Sequence, residues 1–153
     1  KPKMKAVIQR VKHASVRVDE NITGQISTGL LILLGVQEGD TLEDLEWLAQ
    51  KIVKLRIFGD ADGKMNLAVK EAKGRVLVVS QFTLFANTKK GNRPSFERSA
   101  KPDAAKDLYL NFCDRMEVLL GDKVERGIFA ADMKVELLND GPVTIIIDSQ
   151  NKE

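Results

Sequence analysis

Through most of the first third of the chain, apolar positions alternate with polar ones or fall on β-branched side chains. Ala6-Val7-Ile8-Gln9-Arg10-Val11 and Ser15-Val16-Arg17-Val18 read as strands, with the Lys-His-Ala-Ser stretch around His13 as a turn. Asp19-Glu20-Asn21 predicts a hairpin turn into a further strand over 22–26. Leu30-Leu31-Ile32-Leu33-Leu34-Gly35-Val36 is apolar on both faces, so it belongs in the middle of the core. The period then becomes helical. Thr41 opens a helix with Asp44 at the acid position of a capping box, and Leu45, Leu48, Ile52 and Leu55 form its stripe. Pro102-Asp103 opens a second helix with Leu108, Phe112, Met116 and Leu119 as its stripe, ended by Gly121-Asp122. Strands return over 129–138 and 143–148, with a Gly-Pro turn between them. The pattern predicts an α+β, β-rich fold: one domain over 1–153, an antiparallel or mixed sheet closing like a barrel, and two packed helices.

One strand is too polar where it should be most apolar. Arg75-Val76-Leu77-Val78-Val79 starts as a buried run and continues Ser80-Gln81-Phe82-Thr83-Leu84-Phe85. Polar side chains inside an apolar segment must each find a partner or lose stability, and such breaks mark sites. In a regular strand Gln81 and Thr83 share one face, offering an amide and a hydroxyl to a polar ester or an oxyanion. Ser80 joins them only through a bulge or a strand end, where backbone amides also become free. Cross-strand hydrogen bonding is the structural alternative. The loop that follows carries Lys89, Lys90 and Arg93, with Arg98 close behind; it reads as a solvated loop or as a phosphate contact. Near the C-terminus, Asn139-Asp140-Gly141-Pro142 reads as a turn into another apolar strand.

Composition narrows the chemistry. At 153 residues with 43% hydrophobic and 30% charged positions, the chain suits a globular fold with one core. No apolar run has membrane-spanning length, and Met4 reads as the natural start after three residues of tag or extension. A net charge of +2 is too small to announce a nucleic-acid binder, so any such role must come from a local patch. One cysteine, Cys113, suits core packing and a reducing compartment. One histidine, His13, is too few for a Cys/His zinc site, and no metal or cofactor is expected. Asp60, Asp62 and Glu71 fall at calcium-loop spacing, but Met65 stands where glycine is needed.

Through these segments the chain resembles the D-aminoacyl-tRNA deacylases from Met4 to about Ser149. The resemblance rests on Ala6–Val11, on the Ser-Gln-x-x-Leu signature at Ser80–Leu84, and on a complete Asn-x-Gly-Pro-x-Thr signature at Asn139–Thr144. Arg56-Ile57-Phe58, Gly63–Leu67, Arg93–Phe96 and Phe129–Met133 are also similar to family segments.

The resemblance implies a cytoplasmic homodimeric hydrolase that cleaves the ester between a D-amino acid, or mischarged glycine, and the terminal adenosine of tRNA. It implies a cis bond at Gly141-Pro142, inserted into the partner's site so that an L side chain has no room, with Arg10 bracing it. Ser80, Gln81, Phe82 and Thr83 would form the catalytic pocket, with Phe129 and Met133 near the adenosine. Lys89, Lys90 and Arg93 are then expected phosphate contacts. No histidine is near Thr83 in sequence to activate it, which favours direct attack by water. Two rivals remain: a non-catalytic nucleic-acid-binding module of the same fold, and a relative with a trans proline that tolerates L-amino acids. The latter departs from both signatures.

Overall fold

The computed structural model describes residues 3–152. The first two of the three residues read as a tag or extension lie outside them. The turn expected around His13 is absent: Lys5–Val18 is one strand, β1, in which His13 pairs with Leu138. A register shift between Val11 and His13 lets Lys12 and His13 both face solvent while Val11 and Ala14 stay buried. That bulge breaks the alternation and imitates a turn in the sequence.

β1 passes through Asp19 and Glu20, at φ 49° and 70°, into β2 (Asn21–Ile26). Two consecutive positive φ values make the tight turn whose twist suits a hairpin. β3 (Gly29–Gly35) pairs antiparallel with the first half of β1, while β2 covers the second half. β6 (Arg75–Ser80) runs parallel to β3, and the short β7 (Glu125–Arg126) runs parallel to β6. β7 then comes round to β2. The Thr23 hydroxyl donates to the Arg126 carbonyl at 3.4 Å, and the Gln25 N–H to Glu125 Oε1 at 3.2 Å. The sheet is thus a nearly closed barrel, with β8 (Lys134–Asp148) along the other edge of β1.

The core has two parts. Leu30, Ile32, Leu34, Val76 and Val78 face the helices α1 (Leu42–Lys54) and α2 (Pro102–Leu120). Leu31, Leu77 and Val79 face the barrel interior with Val11, Val16 and Ile26. This double burial explains why β3 is apolar on both faces, and each such side chain contributes about 1.5–3 kcal/mol. α1 begins with the expected box: the Asp44 N–H donates to Thr41 Oγ1 at 3.3 Å and the Thr41 N–H to Asp44 Oδ2 at 3.0 Å.

The stripe of α2 is rotated from the expected one. Ala105, Tyr109, Phe112, Cys113, Met116 and Leu120 are buried, while Leu108 and Leu119 lie half-buried at its margin. The cause is Tyr109, whose hydroxyl is satisfied deep in the core by the Val78 carbonyl at 3.0 Å. α2 stops at Gly121, in the left-handed conformation at φ 67°. Between the helices, β4 (Phe58–Gly59) and β5 (Met65–Leu67) form a small hairpin. Asp60 closes it by accepting from the N–H groups of Asp62 and Lys64 and from the Asn66 amide. No helix among the described residues is long and apolar enough to cross a membrane.

Candidate active site

The polar stretch after Val79 is not the continuing strand the sequence suggests. β6 ends at Ser80, and Phe82–Phe85 is one turn of 3-10 helix. The reason lies in β3: Leu34 is the last residue that pairs with β6, opposite Ser80, and the final bond runs from the Gln81 N–H to the Leu34 carbonyl at 2.8 Å. Gln81 and Thr83 therefore do not share a strand face; the Gln81 amide donates to the Thr83 hydroxyl across the turn. The Gln81 carbonyl accepts from the Leu84 N–H and the Thr83 carbonyl from the Ala86 N–H. Among the described residues, the N–H groups of Phe82 and Thr83 have no acceptor.

Beside this strand end lies a cavity of about 460 Å³. Ser80, Gln81 and Phe82 line it together with Ser99, Tyr109, Phe129 and Met133. Thr83 is next to the cavity rather than on its wall. The sequence pattern puts Phe129 and Met133 inside a strand, but β8 begins only at Lys134. The preceding segment breaks at Ala130, φ 65°, and is free to fold over the cavity. Gly127 makes room for it, because a Cβ there would stand 2.4 Å from Met133 Sδ.

Sequence reasoning misses Tyr109 and Ser99. The signal for Tyr109 is its place one turn before Cys113, with Ala105, Phe112 and Met116 at helical spacing on the same face. Tyr109 packs against Phe129 with ring centroids 6.0 Å apart. Burial pushes the Tyr109 phenol up from its ordinary value and the Cys113 thiol up to about 12, so both are neutral at neutral pH. Cys113 is therefore core packing and no nucleophile. Among the described residues, no three His, Cys, Asp or Glu side chains converge as a metal site requires.

The second signature forms a separate constellation. Asn139–Pro142 reads in the sequence as a turn between two strands, yet β8 runs through it without reversing. Val11 pairs with Asn139 and Gln9 with Thr144, so residues 140–143 bulge out opposite Arg10. The Asn139 amide donates to the carbonyls of Arg10 and Val143, both at 3.0 Å, and so pins both ends of the bulge. The Gly141–Pro142 peptide is cis. A Cβ on Gly141 would stand 1.9 Å from the Val143 nitrogen, so only glycine fits. Arg10 donates through Nε to the Asp140 carbonyl at 2.8 Å and through Nη1 to the Ile57 carbonyl at 2.6 Å.

Gly141 and Pro142 are exposed and do not line the cavity of their own chain. Arg10 pairs with Leu30, while the cavity touches Leu34. At strand spacing, four residues along β3 is roughly 13 Å.

Lys89, Lys90 and Arg93 sit exposed on an excursion closed by the Asn87–Ser95 bridge, and none has an ion-pair partner among the described residues. The excursion meets the cavity where the Phe96 ring packs edge-on against Phe82, centroids 5.1 Å apart.

A nearly closed barrel-like sheet, two helices packed on it and a cavity beside the end of β6 define an α+β, β-rich fold of the deacylase type. The chain belongs to the D-Tyr-tRNA(Tyr) deacylase family, whose model matches residues 7–148. The D-aminoacyl-tRNA deacylase of Parabacteroides distasonis is 59% identical over 98% of this chain and 100% of its own length. That of Flavobacterium psychrophilum is 58% identical with the same coverage. Among solved structures, a c-Myc DNA Unwinding Element Binding Protein superposes with TM-score 0.88 and 38% identity, covering 94% of this chain and 97% of that one.

Proposed function

We propose that the protein hydrolyses the ester of D-aminoacyl-tRNA, and of mischarged glycyl-tRNA, releasing the amino acid and free tRNA. The observation that carries this reading is the end of β6: a family-signature segment opens there into a cavity of about 460 Å³ beside N–H groups that have no acceptor among the described residues. The aromatic and sulfur-bearing side chains of Phe129, Tyr109 and Met133 suit a terminal adenosine, and Gln81 and the backbone suit the ester. Water attacks the ester carbonyl, and the oxyanion that forms is held by the N–H groups of Phe82 and Thr83. The carbon–oxygen bond to the ribose breaks, and the proton given up by the attacking water passes, by way of the neighbouring 2′-hydroxyl, to the departing ribose oxygen. Lys89, Lys90 and Arg93 contact tRNA phosphates.

Chirality is read by a second copy of the chain. Its Gly141–Pro142 bulge enters the pocket, where rigid backbone leaves no room for an L side chain. The separation of the bulge from its own chain's cavity supports this reading. So does β8, a long strand paired with β1 along one edge and with no strand on its other edge among the described residues, with Leu138 and Ile146 exposed by 52% and 64%. With tRNA as substrate, the protein works in the cytoplasm, where translation occurs.

The test is a time course with D-aminoacyl-tRNA. Loss of the ester faster than in buffer supports the enzyme. Binding of the tRNA without any acceleration supports the non-catalytic nucleic-acid-binding module instead.

A further inference from the structure

Phe82 is held from outside the 3-10 turn that carries it. The Ser99 hydroxyl donates to the Phe82 carbonyl at 3.1 Å, and the Phe96 ring packs edge-on against the Phe82 ring. Both holders belong to the segment that carries Lys89, Lys90 and Arg93. That segment is itself anchored at its base: the Glu38 N–H donates to the Arg98 carbonyl and the Ala100 N–H to the Val36 carbonyl, both at 3.0 Å. Ser99 also bridges to Gln37 and lines the cavity. A hydroxyl at this place has a defined geometric consequence. In a planar trans peptide the C=O and the N–H point in opposite directions. Gripping the Phe82 carbonyl therefore fixes the direction of the Thr83 N–H, which has no acceptor among the described residues. A carbonyl that accepts a hydrogen bond also leaves the N–H of the same peptide a stronger donor.

We infer that Ser99 is a positioning residue for deacylation, latching the basic excursion to the cavity wall through the Phe82–Thr83 peptide. The role rests on the deacylase reading given above. Ser99 touches no reacting atom. It sets the plane of a peptide that does, so its loss lowers the rate of the chemical step more than the affinity for tRNA.

The experiment compares Ser99→Ala and Ser99→Thr in the full chain. Ser99→Ala is expected to lower kcat about tenfold with KM within about twofold, leaving thermal stability near that of the wild type. Ser99→Thr keeps a hydroxyl and restores most of the rate. Independently of activity, the Thr83 amide resonance shifts in Ser99→Ala and returns in Ser99→Thr. An unchanged kcat in Ser99→Ala overturns the inference, as does a fall in rate and stability together that threonine does not repair. A wild-type protein without deacylase activity overturns the deacylase reading instead; an unmoved Thr83 resonance then overturns the latch on its own.

Discussion

Arg10 Nε donates to the carbonyl oxygen of Asp140 at 2.8 Å, so a largely buried guanidinium grips the first residue of the 140–143 bulge, next to Gly141–Pro142. Its Nη1 reaches the Ile57 carbonyl at the start of the β4–β5 hairpin, and the bulge is thereby tied to a second element. Lysine cannot make both bonds from one point charge. Arg10→Lys is expected to lose about 1.5–3 kcal/mol of local stabilisation. The bulge loosens, and discrimination between D- and L-esters falls. Rates on both esters measure this; an unchanged ratio would separate Arg10 from chiral selection.

Thr83 has its hydroxyl engaged by the Gln81 amide and no histidine near it in sequence. A hydroxyl without a base is a weak nucleophile. Thr83→Ala is expected to keep single-turnover hydrolysis within about tenfold of wild type, because the Thr83 N–H survives the substitution. Complete loss with intact folding and tRNA binding would instead make Thr83 the attacking group.

How much of this can be read from the chain differs by element. The double burial of β3, the capping box at Thr41 and the end of α2 at Gly121 are local patterns with one dominant cause each, and they stand as expected. The bulges at Lys12-His13 and at residues 140–143 imitate turns, because a strand that bends without reversing breaks the alternation in the same way. The end of β6 at Ser80 is set by where β3 stops supporting it, which is a property of another strand. For the same reason the sequence singles out Ser80–Thr83 as unusual but assigns them to a regular strand. Ser99 is invisible there because its hydroxyl meets the site through a backbone carbonyl, and Tyr109 shows only by its spacing because its polar atom is hidden in the core.

Removing charge from the basic excursion tests its role. Replacing Lys89, Lys90 and Arg93 together with alanine is expected to weaken tRNA binding on the order of tenfold. The slope of log affinity against log salt becomes shallower by about one for each phosphate no longer neutralised. An unchanged slope would leave the excursion a solvated loop.

Asp40 gives a pH signature away from the cavity. Burial lifts its carboxyl from 3.8 to about 7, against the lowering effect of the bond from the Gln37 N–H, with the charges of Asp44 and Asp148 adding to the rise. The folded state thus holds a proton that the unfolded state releases. Stability from this group is full below pH 3.8 and is lost as pH rises to about 7, beyond which it is flat. Asp40→Asn is expected to flatten that dependence and to unfold at higher temperature than wild type at pH 8. A melting series from pH 4 to 8 measures it, and an unaltered slope between about 4 and 7 would contradict the assignment.

The ratio of kcat/KM for the D- and L-aminoacyl esters of one tRNA, measured on the wild-type protein, bears most directly on chiral exclusion. A rigid backbone that leaves no room for an L side chain predicts a preference for the D-ester of about a hundredfold or more, equivalent to roughly 2.7 kcal/mol. A ratio near one would contradict the account.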